Sequence, residues 1–578
     1  MPGQLNVKGS TVTDSTEICH ELNQYFCSIG HKMAENIIVT PKQPLSKTFC
    51  GTRIQNSIFF ETADEYEIIG IINNLNEHKA LGVDGIPTKL IKAAKYVLAP
   101  YLSKIFNSGL EQGHYYDELK IARVSPLHKG GSKKELKNYR PISILTAFNK
   151  IFEIIIKRRL LNFWNKHKVF SPTQFGFREN YSTTLAITHL REYILSELDN
   201  KMNICALFVD LAKAFDTVNH KILLYKLSQY GVRGTANNLI KSYLTNRKQQ
   251  VSGNGVSSSL LDINIGVPQG SVLGPILFLI YINDISSCSN LKTTLYADDS
   301  VFTLSHKSVN SLQSSLENEL NKLNCWLKVN QLSLNVNKTK FMFFSKSKKN
   351  LTLKIDDSEI MQTNCIKYLG VYIDDKLNWY KHIEHIESKL AVAAGVIAKL
   401  RKYLPSQALI PIYYSLVYSH LQYAIICWGN CFKKLIHRLQ VKQNLIVKIM
   451  CNSTCRKINL KPLFKNLQFL KLSGIFELET AKFMLKLHLN KLPDFCGDHL
   501  KNFIKVSSIH TYCTRRAISN NYYVPKTFSC NTDRSIKVSG AKIWNNLPNY
   551  LKNKISTSSY TSSNILLKQH YLQQQFSL

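Results

Sequence analysis

Apolar residues along this chain recur with two different spacings, which predict helices and strands in mixed order. Helical spacing runs through residues 14–37, 148–164 and 308–329, as on helices with one buried face. Apolar runs rich in β-branched and aromatic residues lie at 204–211 and around 292–305, and such runs are typical of buried strands. The pattern predicts an α+β protein.

Three shorter segments add further elements. Thr62 and Glu65 have the spacing of a capping box, which predicts the start of a helix. Residues 248–271 predict a hairpin that opens into a helix over 271–285. The alternation in "IKYLGVYID" (366–374) predicts one strand.

Length and charge set the broad class. At 578 residues the chain exceeds what one hydrophobic core supports, so we expect roughly two to four domains. Lys and Arg number 74 against 39 Asp and Glu, a formal net charge of +35. An excess of that size indicates a polyanionic partner such as nucleic acid. An indifferent basic surface is the alternative.

Cysteine usage and hydropathy indicate an intracellular protein. The 14 cysteines are scattered without a secretory framework, so we expect reduced thiols in the nucleus or cytoplasm. No stretch reaches about 18 consecutive apolar residues, and the longest candidate, 274–285, ends in Asn283 and Asp284. We therefore expect no membrane span.

Four cysteines raise the question of a zinc site. They form two C-x3-C pairs with His437 between them: Cys427, Cys431, Cys451 and Cys455. This spacing falls within the broad range for zinc, but C-x2-C pairs are the stronger signal. The first pair lies in the apolar segment "YAIICWGNC", where buried thiols are common. Zinc is therefore not expected.

The clearest chemistry belongs to aspartates at two strand ends. Asp210 ends the run "ICALFVD", and Asp298 and Asp299 interrupt the strand pair at "YADD". If both strands lie in one sheet, the carboxylates meet, and repulsion would raise their pKa values unless cations neutralise them. Mg²⁺ suits such a site, and two ions about 3.5–4 Å apart promote an in-line displacement at phosphorus. The alternative is a helix cap at Asp210 and an ordinary hairpin turn.

These aspartates belong to an ordered set of motifs: "FVDLAKAFDTV" (208–218), "GVPQGSVLGP" (266–275), "YADD" (296–299), "NVNKTK" (335–340) and "IKYLGVYID" (366–374). The set resembles the consecutive palm motifs of reverse transcriptases, most of all those of non-LTR (LINE-type) retrotransposons of the jockey kind. Upstream, "KALGVDGIP", "NYRPISIL" and "QFGFRENYST" resemble that family's fingers motifs. The resemblance covers roughly residues 60–375 in the correct order.

The resemblance implies a right-hand polymerase, an α+β fold of fingers, palm and thumb with an antiparallel palm sheet and helical N-terminal and C-terminal regions. The almost wholly helical pattern after residue 376 agrees with a thumb. The implied regions are an N-terminal helical segment and linker (1–60), an extension of the fingers (61–118), fingers and palm (119–375), a helical thumb (376–455) and a C-terminal region of unknown role (456–578).

The resemblance also implies catalytic roles. Asp210, Asp298 and Asp299 are expected to ligate two Mg²⁺ ions, with Mn²⁺ as a possible substitute. Lys338 matches the lysine proposed to protonate the leaving pyrophosphate, although Lys340 is an equally visible competitor.

Five residues are expected at the incoming nucleotide. Lys129 and Arg140 match fingers residues that meet the triphosphate, where Arg offers a bidentate fork and Lys a point charge. Phe215 would place a ring against the 2′ position of the sugar and so select deoxynucleotides. Gln269 and Gly270 would line the pocket, with glycine allowing close approach to a base pair. The alternatives are a solvated basic loop, a core aromatic and an ordinary loop glycine.

Three groups of residues are expected to contact template or primer. They are Gln174, Gly176 and Arg178 near the template or the incoming base, Tyr368, Leu369 and Gly370 at the primer end, and Lys434, Arg438 and Lys442 along one helix face. A basic stripe of this kind can follow a phosphate backbone. A merely solvated face is a comparable interpretation.

The implied function is that of an RNA-directed DNA polymerase, which extends a DNA primer or target on an RNA template with dNTPs. Members of the family usually carry an upstream endonuclease, and no motif of one is visible here, so we expect the chain to lack that domain. One alternative is a catalytically silent descendant that binds RNA or DNA. Another is a group II intron maturase, which "KALGVDGIP" and the "WGN" segment disfavour.

Overall fold

The structure, a computed structural model, describes residues 2–7, 9–35, 44–345, 351–356, 358–452, 459–493, 503–508, 520–526 and 532–577. Before residue 119 its elements are β1 (Leu5–Val7), β2 (Ser10–Val12), α1 (Ser15–Glu35), α2 (Glu65–Asn74), α3 (Thr88–Ala93) and α4 (Lys95–Gln112). The cap of α2 is Asp64, whose side chain accepts a hydrogen bond from the Glu67 amide at 2.7 Å. The capping box expected at Thr62 and Glu65 is therefore wrong.

The middle of the chain alternates strands and helices, which confirms the α+β class. In chain order these are β3 (Ile121–His128), β4 (Tyr139–Ile144), α5 (Ala147–Lys166), α6 (Thr183–Asp199), β5 (Asn203–Asp210), α7 (His220–Gln229), α8 (Thr235–Leu244), β6 (Arg247–Gly253), β7 (Val256–Ser257), β8 (Leu261–Ile263), α9 (Gly274–Ile282), β9 (Lys292–Tyr296), β10 (Asp299–His306), α10 (Val309–Val329), β11 (Lys340–Phe344), β12 (Leu353–Ile355), β13 (Ser358–Gln362), β14 (Cys365–Tyr368) and β15 (Val371–Asp374). The single strand expected at 366–374 is instead a hairpin, because Leu369 and Gly370 reverse the chain with positive φ.

Helices follow after residue 376, as predicted. They are α11 (Tyr380–Leu400), α12 (Ser406–Tyr413), α13 (Ser419–Gln422), α14 (Ile425–Trp428), α15 (Lys433–Met450), α16 (Leu460–Leu467), α17 (Leu472–His488), α18 (Ile536–Asn545), α19 (Asn549–Thr557) and α20 (Tyr560–Ser577). Within the described ranges, no helix combines the length and the apolar character that crossing a bilayer requires.

A central sheet organises the fold. Its strand order in the described residues is β12–β13–β11–β5–β10–β9, and β5 is antiparallel to both of its neighbours. Successive side chains of a strand point to opposite faces, so Ile204 and Phe208 enter one hydrophobic core while Leu207 and Val209 enter another. Burial on both faces explains why β5 is apolar almost throughout. Each large side chain buried in this way contributes about 1.5–3 kcal/mol.

A second sheet carries the basic hairpin β3–β4. Its order is β4–β3–β6–β7, with β8 paired to β6, and β3 runs parallel to β6 with Val124 opposite Val251. Helix α1 covers this sheet, because Leu22 and Phe26 share a core with both valines. The described part of residues 1–60 is therefore packed onto the body of the protein.

The C-terminal helices share one core with the helices that precede them. Ile446 of α15, Ile475 of α17, Trp544 of α18 and Leu567 of α20 are all fully buried in it. Within the described residues, the boundary expected at residue 455 therefore does not separate two packing units.

A buried ion pair on α6 binds the start of α18 through further hydrogen bonds. Arg191 Nη1 lies 2.8 Å from Glu192 Oε1, and the two side chains are 3% and 2% exposed. Glu192 also accepts hydrogen bonds from the Ser535 hydroxyl at 2.5 Å and the Ile536 amide at 3.0 Å. Arg191 donates a second bond to the Arg534 carbonyl oxygen at 2.6 Å. Charge-assisted bonds thus tie the start of α18 to the central body.

Replacing Glu192 with alanine should destabilise the fold strongly. Arg191 would remain buried without its carboxylate, a change that costs about 3–5 kcal/mol in comparable pairs. The midpoint of urea unfolding should therefore fall well below that of the wild type. Glu179→Ala, at an exposed position just before α6, should leave the midpoint unchanged. Equal midpoints for the two variants would contradict a stabilising role for this ion pair.

Candidate active site

Three aspartates meet at one end of the central sheet. Asp210 ends β5 and Asp299 begins β10, and the two residues lie directly opposite each other in the antiparallel pair. Asp298 lies beside them in the tight turn between β9 and β10. The expectation that both strands share one sheet is confirmed. The alternative in which Asp210 caps a helix is wrong.

Asp210 is held by two residues of the loop before β11. The Asn335 side chain donates a hydrogen bond to Asp210 Oδ2 at 3.0 Å, and the Asn335 backbone amide donates to the Asp210 carbonyl oxygen at 2.8 Å. The Asp210 amide donates to Thr339 Oγ1 at 3.3 Å. These bonds orient the carboxylate without neutralising its charge.

Lys338 is the lysine that faces the carboxylates. Its Nζ lies 3.7 Å from Asp210 Oδ2, and its side chain is 69% exposed. Lys340 instead belongs to β11, where it is paired with Phe208 of β5. The geometry therefore favours Lys338 over its competitor.

The tight turn that carries Asp298 rests on Gln174. The side-chain oxygen of Gln174 accepts hydrogen bonds from the backbone amides of Gly176 at 2.9 Å and Ala297 at 3.0 Å. Ala297 has a positive φ of 55°, an uncommon conformation that persists where the surroundings fix it. Glycine is needed at position 176, because a Cβ there would lie 2.6 Å from the Ala297 nitrogen.

Burial and mutual repulsion raise the pKa values of the two turn carboxylates. Burial raises the pKa of Asp298, as does the charge of Asp210, while Arg140 lowers it. Burial, followed by the charges of Asp298 and Asp210, raises the pKa of Asp299 to about 6. Asp299 also keeps more than a third of its surface exposed, so solvent screens part of the repulsion. An added cation would stabilise this arrangement.

These carboxylates fit a divalent cation. Hard oxygen donors are the ligands that such ions prefer, and a bound cation would relieve the repulsion between the aspartates. Among the described residues, no group of three or more His, Cys, Asp or Glu side chains converges tightly enough to hold an ion by itself. An ion at this site would complete its coordination with water and substrate phosphates, as is usual for Mg²⁺ at phosphate-transfer sites.

The β3–β4 hairpin presents two cations toward the aspartates. Lys129 follows β3 directly, and Arg140 lies near the start of β4. Partial burial, then the positive charges of Lys213 and Arg140, lower the pKa of Lys129. Arg140 in turn lowers the pKa values of Asp298 and Asp299. The hairpin and the turn that carries Asp298 are thus close enough to interact electrostatically.

Phe215 and Gln269 form one wall beside these groups. Phe215 is half-buried and stacks on Phe278 of α9, with ring centroids 4.4 Å apart. The Gln269 side-chain amide donates to Asp216 Oδ1 at 2.6 Å. Burial raises the pKa of Asp216, while the bond from Gln269 lowers it.

Gly270 is required by the fold itself. It has φ of +115°, and a Cβ there would lie 2.5 Å from the Ser143 carbonyl oxygen. The sequence predicts a close approach of Gly270 to a base pair, whereas in the structure Gly270 lies close to the backbone of Ser143. A nucleotide-facing role for Gly270 stays a prediction.

The part of the chain that builds this site matches a known family. The family described as "Reverse transcriptase (RNA-dependent DNA polymerase)" matches residues 129–373, which include the three aspartates, Lys338, Lys129 and Arg140. This stretch is a reverse transcriptase domain.

Proteins from Drosophila melanogaster are similar to a larger part of the chain. This chain is 27% identical to "Probable RNA-directed DNA polymerase from transposon X-element" over 66% of this chain and 43% of that protein. It is 29% identical to "Probable RNA-directed DNA polymerase from transposon BS" over 68% of this chain and 45% of that protein. It is 28% identical to "RNA-directed DNA polymerase from mobile element jockey" over 75% of this chain and 48% of that protein. The jockey-like, non-LTR resemblance is thereby confirmed, although the chain spans less than half the length of these relatives.

A solved structure of apo telomerase from Candida tropicalis also aligns with the chain. It covers 70% of this chain and 72% of its own, at 11% identity and a TM-score of 0.37. This likeness is too weak to support any assignment.

Residues of the reverse transcriptase domain that were expected at the template are engaged within the protein. Gln174 is 1% exposed, and Gly176 is buried against Ala297, so a template contact is wrong for both. Their observed role is to support the turn that carries Asp298. Arg178 donates hydrogen bonds to the Ser171 and Gln174 carbonyl oxygens and braces the same loop.

The residues expected at the primer end form the tip of the β14–β15 hairpin. Tyr368 is 5% exposed and packs edge-on against Phe208, so a primer contact by its side chain is wrong. The Tyr423 hydroxyl donates to the Leu369 carbonyl oxygen at 2.6 Å. Gly370 is exposed, and a Cβ there would lie 3.3 Å from the Tyr423 ring. The backbone of this turn is what remains open to a primer.

The basic stripe on α15 is divided by an ion pair. Arg438 Nε donates to Glu387 Oε1 at 3.0 Å, and Nη2 contacts the other carboxylate oxygen. This bidentate pair joins α15 to α11, while the Arg438 side chain stays 40% exposed, so a phosphate contact by Arg438 stays a prediction. Lys434 is exposed and Lys442 is partly exposed, so both can reach a polyanion without losing an ion pair within the described part of the chain.

The cysteines considered for zinc lie in different environments. Cys427 and Cys431 are buried in the helical core, and Cys427 Sγ lies 3.1 Å from the Thr188 hydroxyl. Cys455 lies outside the described residues.

Sequence reasoning missed the residues that hold the site in place. Asn335 and Thr339 belong to the motif "NVNKTK", and Asp216 belongs to "FVDLAKAFDTV", so membership of a motif was the available signal. Tyr423 had none, because it reaches Leu369 from 54 residues away along the chain.

The raised pKa of Asp299 predicts how the stability of the folded protein depends on pH when a chelator keeps metal ions away. Between its ordinary value of 3.8 and about 6, the folded state keeps a proton that the unfolded chain releases, so stability should fall as the pH rises through this window. The Asp299→Asn variant has no carboxyl group at this position, so it should not lose this stability as the pH rises. Its thermal midpoint should exceed that of the wild type above pH 6, with the difference shrinking toward pH 4.

The matched control is Asp262→Asn, at an exposed position on β8. Its midpoint should follow the wild-type curve at every pH. Parallel curves for the wild type and Asp299→Asn would contradict the raised pKa.

Proposed function

We propose that this chain is an RNA-directed DNA polymerase that copies RNA into DNA for a jockey-like non-LTR retrotransposon. The observation that carries the proposal is the pairing of Asp210 with Asp299, beside Asp298 and near the cationic hairpin. The reverse transcriptase domain and relatives named as RNA-directed DNA polymerases support it. The substrates are an RNA template, a DNA primer or target, and dNTPs.

Two Mg²⁺ ions, or Mn²⁺ in their place, are the cofactors that this function requires. Asp210, Asp298 and Asp299 would hold them, and the raised pKa values of the turn carboxylates support a cation there. Bound in this way, the ions would activate the attacking oxygen and stabilise the leaving one. The protein's own contribution is to orient the carboxylates through Asn335 and Gln174.

The architecture fits fingers, palm and thumb. We assign the central and second sheets with their helices (119–375) to palm and fingers, and residues 61–118 to an extension of the fingers. The helices of 376–455 then form the thumb. Because they share a core with the C-terminal helices, the described parts of 456–578 belong to the same body.

Nucleotide binding falls to the hairpin and the adjacent wall. Lys129 and Arg140 would bind the triphosphate, because both lie where their charges already act on the aspartates or on each other. Phe215 would face the sugar, where a ribose 2′-hydroxyl would collide with its ring. Gln269 would contact the base pair from the same side.

Template and primer would lie between this site and the helices after residue 376. The turn at Leu369 and Gly370 would support the primer end through its backbone. Lys434 and Lys442 would bind phosphates, which a charge of +35 favours over the chain as a whole.

Changing both turn aspartates should abolish DNA synthesis. Asp298→Asn combined with Asp299→Asn preserves side-chain volume but removes the charges that would hold metal, so extension of a primer on an RNA template should fall by at least about 10²-fold. Asp262→Asn should extend like the wild type. Equal, negligible product from the wild type and the double variant would favour the catalytically silent descendant.

Lys338 is proposed to protonate the leaving pyrophosphate, and Lys340 provides a matched control two residues away. Loss of a general acid typically lowers the rate about 10²–10⁴-fold, so Lys338→Ala should reduce kcat in that range with little change in the KM for dNTP. Lys340→Ala should retain wild-type kcat. Single-turnover extension with both variants distinguishes them, and a smaller effect at Lys338 than at Lys340 would refute the assignment.

A further inference from the structure

Helix α1 lies outside the matched stretch 129–373, yet it contacts the backbone of Asp216 directly. Gly30 is buried at this contact. A Cβ at position 30 would overlap the Asp216 carbonyl oxygen and lie 2.7 Å from Ile265 Cγ2. Only glycine therefore allows α1 to lie this close without displacing its neighbours.

The same carbonyl oxygen is enclosed from another side. A Cβ on Gly266 would lie 2.8 Å from it, and Gly266 has φ of +85°. The Val267 amide donates to the Phe215 carbonyl oxygen at 2.9 Å. The backbone of residues 215 and 216 is thus held between α1 and the segment that leads to Gln269.

The side chains on this backbone belong to the wall of the proposed nucleotide site. Asp216 Oδ1 accepts the bond from Gln269, and Asp216 Oδ2 is buried without a hydrogen-bond partner among the described residues. Phe215 is stacked on Phe278. A shift of Asp216 would therefore move both Phe215 and Gln269.

A buried amide fixes the position of α1. Asn23 is fully buried, and its nitrogen donates to Ser258 Oγ at 3.0 Å and the Ser259 carbonyl oxygen at 2.9 Å. Its oxygen accepts from Gln249 Nε2 at 3.0 Å. Because a buried amide without partners is costly, these bonds fix the position of α1 on the second sheet.

We propose that α1 is a positioning element of the nucleotide site. Through the contact of Gly30 with Asp216, it fixes Phe215 and Gln269 and so sets both the affinity for the incoming dNTP and the rejection of ribonucleotides. Gly30 itself touches no substrate. The inference rests on the proposed polymerase function.

Gly30→Ala in the full-length chain separates this role from a local effect on the helix. Alanine is the better helix former, so any change in nucleotide use would come from the overlap with Asp216 and Ile265 and not from a weaker helix. We expect the KM for dNTP to rise about tenfold and the dNTP-over-rNTP ratio of kcat/KM to fall about tenfold, with kcat changed about twofold or less. Lys32→Ala, at an exposed position on α1, should match the wild type in all three.

Asn23→Ala is the second variant, because it loosens the anchor of α1 without introducing a clash. It should shift the KM and the sugar ratio in the same direction. With an active wild type, unchanged values in either folded variant would overturn the inference, and so would failure of both variants to fold, since α1 would then serve the fold alone. An inactive wild type would instead contradict the polymerase function and, with it, this inference.

Discussion

The pairing of β5 with β10 is the constraint on which the rest of this structure depends. It sets Asp210 directly opposite Asp299, with Asp298 in the adjoining turn. Like charges opposite each other on paired strands destabilise a sheet, so the surrounding fold must hold them. Asn335 and Gln174 do so by bonding the two strand ends. Neither residue carries a charge, which leaves the carboxylates available to a cation.

Positive charge is concentrated around this acidic cluster. Lys129, Arg140, Lys213 and Lys338 all influence one another's charge states or those of the aspartates. A surface field decays within about 8 Å at physiological salt, so these local groups matter more for the site than the net charge of +35. Cations beside carboxylates suit a substrate that brings phosphates and shares a metal with the protein.

Segments from both ends of the chain pack against the elements that carry the site. On one side, α1 reaches the backbone of Asp216 through Gly30. On the other, Ser535 at the start of α18 bonds Glu192 of α6. Sequence outside the matched stretch is therefore packed against both sheets, because helices after residue 376 share a core with the central sheet and α1 shares a core with the second sheet.

The sequence by itself determined the α+β class, the strands that meet at the site and the identity of the three aspartates, because periodicity and motif order are local properties. Only the tertiary structure decided which polar groups are available to a substrate. Arg438 has the same chemistry whether it binds a phosphate or Glu387, which lies 51 residues away along the chain. Gln174 likewise bonds a turn 123 residues distant instead of a template. Lys338 and Lys340 differ because β11 begins at Lys340. Such partners are set by packing, which no local pattern encodes.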